Sequence, residues 1–220
     1  MYFKKYPFIL IVFMLTVGLI GCSDKPNDPT EKMYTILENV VSKEKPFENQ
    51  QDPLVALEKK EKNLYNQILK LGMKEYGQIV KLADEALAST EKRRELFETE
   101  TASLKESENE FRKVADLKED FDNPELGQLA DGLYQIMENR YRAHDELYRQ
   151  YTKAINHDKV LYGMFKNKDI PLEDLQNQVE KVNDAYQKVY TENEKFNKYT
   201  EQYNDKKLLF YKKAGLDPAK

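Results

Sequence analysis

LEDLQNQVEKVNDAYQKVYTENEKFNKYTEQYNDKKLLF, residues 172–210, decides the fold. Steps of three and four from Leu172 pass through Leu175, Val179, Val182, Tyr186, Val189, Asn193, Phe196, Thr200, Tyr203, Lys207 and Phe210. Nine of these twelve are apolar or aromatic, a stripe that a long helix presents on one side. Pro171 suits a first helical turn. Gly215, followed by Leu216 and Asp217-Pro218, reads as a stop with a left-handed glycine.

The preceding segment, about 125 to 168, carries two such seams. One runs from Leu126 through Leu133, Arg140, Leu147 and Ala154 to Leu161 and Met164; the other runs from Tyr134 through Tyr141, His144, Tyr148, Tyr151 and Asp158 to Tyr162 and Phe165. They lie one residue apart, hence about 100° apart around the helix, and a helix with two apolar stripes needs at least two neighbours. Upstream, a seam in 75–121 reads Tyr76, Ile79, Ala83, Ala86, Thr90, Arg93, Phe97, Glu100, Leu104, Ser107, Phe111, Val114, Lys118, Phe121. Its polar-flecked middle predicts weaker packing. Asp122-Asn123-Pro124 breaks it and caps the next helix. A further seam joins Leu54, Leu57, Glu61, Leu64, Ile68 and Leu71. Met33, Ile36, Leu37, Val40 and Val41 make a short amphipathic helix, which Pro46 and Pro53 separate from the next.

The apolar phase slips by one residue beside Gly72, which reads as a turn. Segments 31–72, 74–121, 125–168 and 172–213 then have matched lengths of roughly 63–72 Å. Matched lengths with short connections predict an all-α fold, an elongated antiparallel up-and-down four-helix bundle with coiled-coil-like packing. One helix running through Gly72 is the alternative, giving about 100 Å of unmatched helix. Glu58/Lys62, Glu108/Arg112, Asp184/Lys188 and Glu194/Lys198 have the favourable i,i+4 order of exposed helix pairs.

Residues 1–21 differ from the rest. Lys4 and Lys5 precede the apolar run PFILIVFMLTVGLI at 7–20, too short for a membrane span, which needs roughly twenty residues. This reads as a secretory signal. Leu19-Ile20-Gly21-Cys22 has the pattern of a bacterial lipobox, in which the cysteine thiol takes a diacylglyceryl group. Two acyl signals give stable anchoring where one does not. The expected organisation is a lipoprotein signal peptide (1–21), a lipidated Cys22 with a flexible tether (22–30) and a helical bundle domain (31–217). The expected location is the extracytoplasmic face of the cell membrane.

Composition narrows the chemistry. The 220 residues carry 35 basic and 39 acidic side chains, a net charge of −4 that becomes −6 without residues 1–21. Such a chain lacks the basic footprint of a nucleic-acid binder. One cysteine excludes an internal disulfide and a Cys-rich zinc site, and the two histidines form no His-Glu-x-x-His or Glu-x-x-His pair. There is no Walker loop, nucleophile elbow or dinucleotide fingerprint. No enzyme, cofactor or metal is expected beyond the acyl lipid on Cys22. The candidate ligand-binding residues are Tyr134, Tyr141, Tyr148 and Tyr162, which share one heptad position and offer rings for stacking on sugars. Their alternative is packing at the edge of a thin core.

LIGC at 19–22, LEKKEKNLYNQILKLGMKEY at 57–76 and EKRRELFETETASLKESENEF at 91–111 resemble the YkyA-type cell-wall-binding lipoproteins of Bacillus and Staphylococcus. The resemblance spans the chain. It implies a helical bundle displayed outside the plasma membrane of a Gram-positive cell, acting as a wall-binding or scaffolding module. Peptidoglycan or another envelope protein is the implied partner; a chaperone-like accessory lipoprotein is the alternative.

Overall fold

The computed structural model describes residues 28–117 and 119–216. The leader, the lipobox (Leu19, Ile20, Gly21), Cys22, the tether up to 27, Lys118 and Asp217-Pro218 lie outside the described residues. Among the described residues there are four long helices and no strand: α1 Pro29–Ile68, α2 Tyr76–Phe111, α3 Pro124–Phe165 and α4 Leu172–Lys213. Their 36 to 42 residues make each about 54–63 Å long. No described helix is long and apolar enough to cross a membrane.

The ends follow local chemistry. The Asp28 carboxylate accepts the Thr30 N–H at 2.9 Å with Pro29 in the first turn, so helix begins inside the segment read as tether. Asn123 caps α3 in the same way, accepting the Glu125 N–H at 2.9 Å ahead of Pro124. At the α1–α2 turn, Glu75 returns its carboxylate to the Gly72 N–H (3.3 Å) while its own N–H bonds the Gly72 carbonyl (2.8 Å). The turn therefore has a local stop. α4 ends at Gly215, φ +73°, where the Leu216 N–H reaches back to the Tyr211 carbonyl at 2.9 Å.

Pro46 and Pro53 do not divide α1, contrary to the sequence expectation; both sit inside one continuous helix. The reason is a neighbour. Next to Pro46 the Ser103 hydroxyl, from α2, donates to the Lys43 carbonyl at 2.6 Å and accepts the Phe47 N–H at 3.2 Å. One side chain thus bridges the turn that the proline ring opens, and the chain continues as helix.

Among the described residues the core forms four apolar clusters along the helices. At one end Met33, Leu37 and Val40 from the start of α1 meet Phe111 and Val114, Leu133 and Met137 from α3, and Phe210 and Tyr211 from the end of α4. At the other, Leu64 and Ile68 meet Ala83 and Ala86, Leu161 and Val182. Two smaller clusters lie between, around Leu54, Phe97, Leu147 and Val189, and around Phe47, Leu104 and Phe196. Helix packing of this kind is that of a bundle.

Candidate functional site

The four candidate tyrosines part company in three dimensions. Tyr141 and Tyr162 are each 4% exposed and lie inside the bundle, not on its surface. Tyr134 and Tyr148 are half-buried. Their contacts on α2 differ in part. Ser107 stands beside Tyr141, small enough to admit the ring, and its Oγ lies 2.8 Å from the phenol. Phe111 and Phe97 stand beside Tyr134 and Tyr148 and stack on them, with ring centroids 6.1 and 5.9 Å apart and planes 19° and 10° apart. Each of these two rings therefore has one face covered by phenylalanine. Burial pushes the Tyr141 and Tyr162 phenols well above their ordinary range.

The polar flecks of the seams are not weak packing but charged layers between the apolar clusters. In the first, Arg93 of α2 places Nη2 2.7 Å from Asp158 of α3 and Nε 3.1 Å from Glu61 of α1. All three are at most 4% exposed. The guanidinium lies between the rings of Tyr151 and Tyr186, 5.5 and 5.8 Å from their centroids. Tyr186 donates to Asp158, and Tyr151 donates to Glu58 at 3.0 Å. Loss of water outweighs the attraction of Arg93 for each acid: burial pushes Glu61 up to about 7 and raises Glu58 and Asp158 as well. Glu58, read from sequence as half of an exposed pair with Lys62, is half-buried and accepts the Tyr151 hydroxyl.

The second layer pairs a histidine with a carboxyl. His144 Nε2 lies 3.5 Å from a Glu100 oxygen, enclosed by the rings of Phe47, Phe97 and Phe196. Burial, with Arg140 and Lys105 nearby, drives His144 down to about 3, and burial raises Glu100 far above its usual range. In the third layer Arg140 of α3 grips Glu44 of α1 with two hydrogen bonds, 2.7 and 2.8 Å, and donates from Nε to Thr200 of α4 at 2.9 Å. Ser107 of α2 donates to the same Glu44 at 2.6 Å, so all four helices meet at one level. Nearer the α4 terminus, Glu38 accepts the Tyr211 hydroxyl at 2.6 Å and faces Lys207 at 3.3 Å.

These acids and bases face one another across the core. Among the described residues no three His, Cys, Asp or Glu side chains converge as a metal site. His157 is half-buried and its carbonyl accepts the Gln178 amide at 2.8 Å. A shallow groove near the start of α1 is lined by Glu31, Thr35, Asn39, Glu110 and Lys113; Asn39 and Lys113 both donate to Glu110 there.

Sequence reasoning placed most of the layer residues on seams without giving them a role. Thr90, Arg93, Glu100 and Ser107 interrupt the α2 seam, and Arg140 and Asp158 those of α3. A charge recurring on an apolar stripe was the available signal. Glu44 and Glu58 carried none, since each looks like an ordinary exposed helix residue until its partner on another helix is known.

Comparison with known proteins adds the family. The model of a family described as "Putative cell-wall binding lipoprotein", YkyA, matches residues 28–213. The Bacillus subtilis (strain 168) protein named "Uncharacterized lipoprotein YkyA" is 35% identical over 212 residues, covering 96% of this chain and 95% of the relative. A crystal structure of a conserved protein of unknown function from Staphylococcus aureus superimposes with a TM-score of 0.72, at 18% identity, over 86% of this chain and 97% of that one; this likeness concerns the fold alone. The chain belongs to the YkyA family of lipoproteins.

Proposed function

We propose that this protein is a lipid-anchored bundle on the extracytoplasmic face of the membrane that binds or scaffolds at the cell wall by display and contact, without turnover. The observation that carries the reading is Cys22, the chain's one thiol, directly after an apolar leader and a lipobox-like Leu19-Ile20-Gly21. A 212-residue alignment of a 220-residue chain to a lipoprotein has to include the Cys22 segment, which supports it. We read the helices as antiparallel, up-and-down and packed as in coiled coils. The meeting of α1's first turns with α4's last supports that order. Such a body lifts its far end about 60 Å from the anchored end.

Tyr134 and Tyr148 are the half-buried pair of the tyrosine stripe, each stacked on a phenylalanine, and are the two rings of the stripe nearest the surface. The test has two arms. Labelled palmitate enters the wild-type protein, and Cys22→Ala abolishes labelling and releases protein to the medium; full membrane retention of that variant refutes the anchor. Purified peptidoglycan retains the protein, and Tyr134→Ala with Tyr148→Ala loses retention; unaltered retention refutes the tyrosine surface.

A second reading, an accessory lipoprotein gripping a protein partner, is favoured by Leu69 and Leu172. These are 58% and 69% exposed, and both belong to the end remote from the tether. Crosslinking on intact cells that captures one protein through Leu69→Cys or Leu172→Cys, with no retention by peptidoglycan, selects it.

A further inference from the structure

We infer that the last two turns of α4 rest on the phospholipid surface of the bilayer that holds the Cys22 lipid, an inference that rests on the lipid-anchor reading above. Two places in the fold meet here. The first is where the described chain begins. α1 starts at Pro29 beside the end of α4: Tyr34 and Tyr211 have ring centroids 5.3 Å apart, and Tyr211 donates to Glu38. Six residue steps separate Cys22 from Asp28, and these reach at most about 20–22 Å. The start of α1 is held within that reach of the headgroups, and the adjoining end of α4 is held close to them with it.

The second is what α4 shows there. Leu208 and Leu209 are 47% and 42% exposed, although Phe210 and Tyr211 beside them are buried. Single exposed leucines are ordinary on any surface. Two in succession, on the helix end nearest the anchor, form an apolar spot with the exposed Lys212 and Lys213 one turn further on. Lys213 lies 2.6 Å from Glu125, and Asp205 adds a negative charge, so attraction to anionic lipid is modest and the leucines supply the contact. Leucines dipping to the acyl boundary while lysine stems reach back to the phosphates is the arrangement of an interfacial helix. Leu172, at the opposite end of the same helix, lies about 54 Å along α4 from Leu208 and serves as the remote position.

The lone cysteine makes the test direct. With the Cys22 sulfur acylated, an introduced cysteine is the protein's single reactive thiol. Full-length lipidated Leu208→Cys and Leu172→Cys proteins are labelled with a polarity-sensitive fluorophore. They are then reconstituted into vesicles of phosphatidylcholine and phosphatidylglycerol. The expected result is blue-shifted emission at 208, lost when a headgroup nitroxide lipid is included, with water-like and unquenched emission at 172. Water-like, unquenched emission at both positions, in protein that floats with the vesicles, overturns the docking and leaves the anchor intact. Protein that does not float overturns the anchor and the docking together.

Discussion

Glu61→Gln separates two opposing forces on one buried carboxyl. In the wild type, Arg93 attracts the charged form and burial opposes it. Burial wins, raising Glu61 from 4.5 to about 7. A folded-state value above the unfolded one means that the native state binds more protons between about pH 4.5 and 7, so this group's contribution is full below 4.5 and is lost as pH climbs to 7. The whole window is worth about 3 kcal/mol, at 1.36 kcal/mol per unit. Glutamine has no such titration. Its fixed offset, including any strain against Arg93 and Thr90, is the same at every pH, so the slope reports the Glu61 proton together with its coupling to Glu58 and Asp158. His144 works oppositely, its contribution rising from about pH 3 to 6.5, but the substitution leaves it in place. Urea unfolding followed by circular dichroism at pH 4.5 and pH 8 measures the difference. The variant gains about 3 kcal/mol on wild type between the two. A difference that is flat with pH, or that grows in favour of wild type, refutes the reasoning and makes the Arg93 pair the stronger force.

Three further outcomes are expected from the same unfolding assay. Ser103→Ala strands the Lys43 carbonyl and the Phe47 N–H beside Pro46 and costs about 1–3 kcal/mol, which Pro46→Ala in the same chain largely restores by closing the helix ladder. Arg140→Met leaves the half-buried Glu44 carboxylate without its cation and its two charged hydrogen bonds and costs about 1.5–3 kcal/mol, part of which returns with Glu44→Gln. Gly215→Ala forces a side chain into φ +73° and costs about 1–2 kcal/mol.

The helices were legible where one residue type settles the matter locally. Asn123-Pro124 and Gly215 mark their boundaries because caps and left-handed turns are decided within a few residues. The α2 seam was also legible: from Ile79 to Val114 every position read on it is buried, Thr90, Arg93, Glu100 and Ser107 included. What the seam did not reveal is why charges stand there, because the answer lies on other helices, at Glu61, Asp158 and Glu44. The continuity of α1 was hidden for the same reason. Pro46 is a helix breaker by every local rule, and Ser103, 57 residues later in the chain, overrules it. The tyrosine stripe shows the limit of spacing alone: one heptad position holds two buried rings, Tyr141 and Tyr162, and two half-buried ones, Tyr134 and Tyr148.

The charged layers also act as a lock on alignment. Leucine and phenylalanine clusters repeated every seven residues fit almost as well when one helix slides past another by a heptad. The charges forbid it. Sliding α2 by seven residues exchanges Arg93 for Ala86 or Glu100, and Glu61 and Asp158 then share a dry core with no cation, or with a third acid. Sliding α3 by the same step puts Leu133 or Leu147 where Arg140 holds Glu44. A long thin bundle has many near-equal ways to pack, and this one carries a code in its interior that only one of them satisfies.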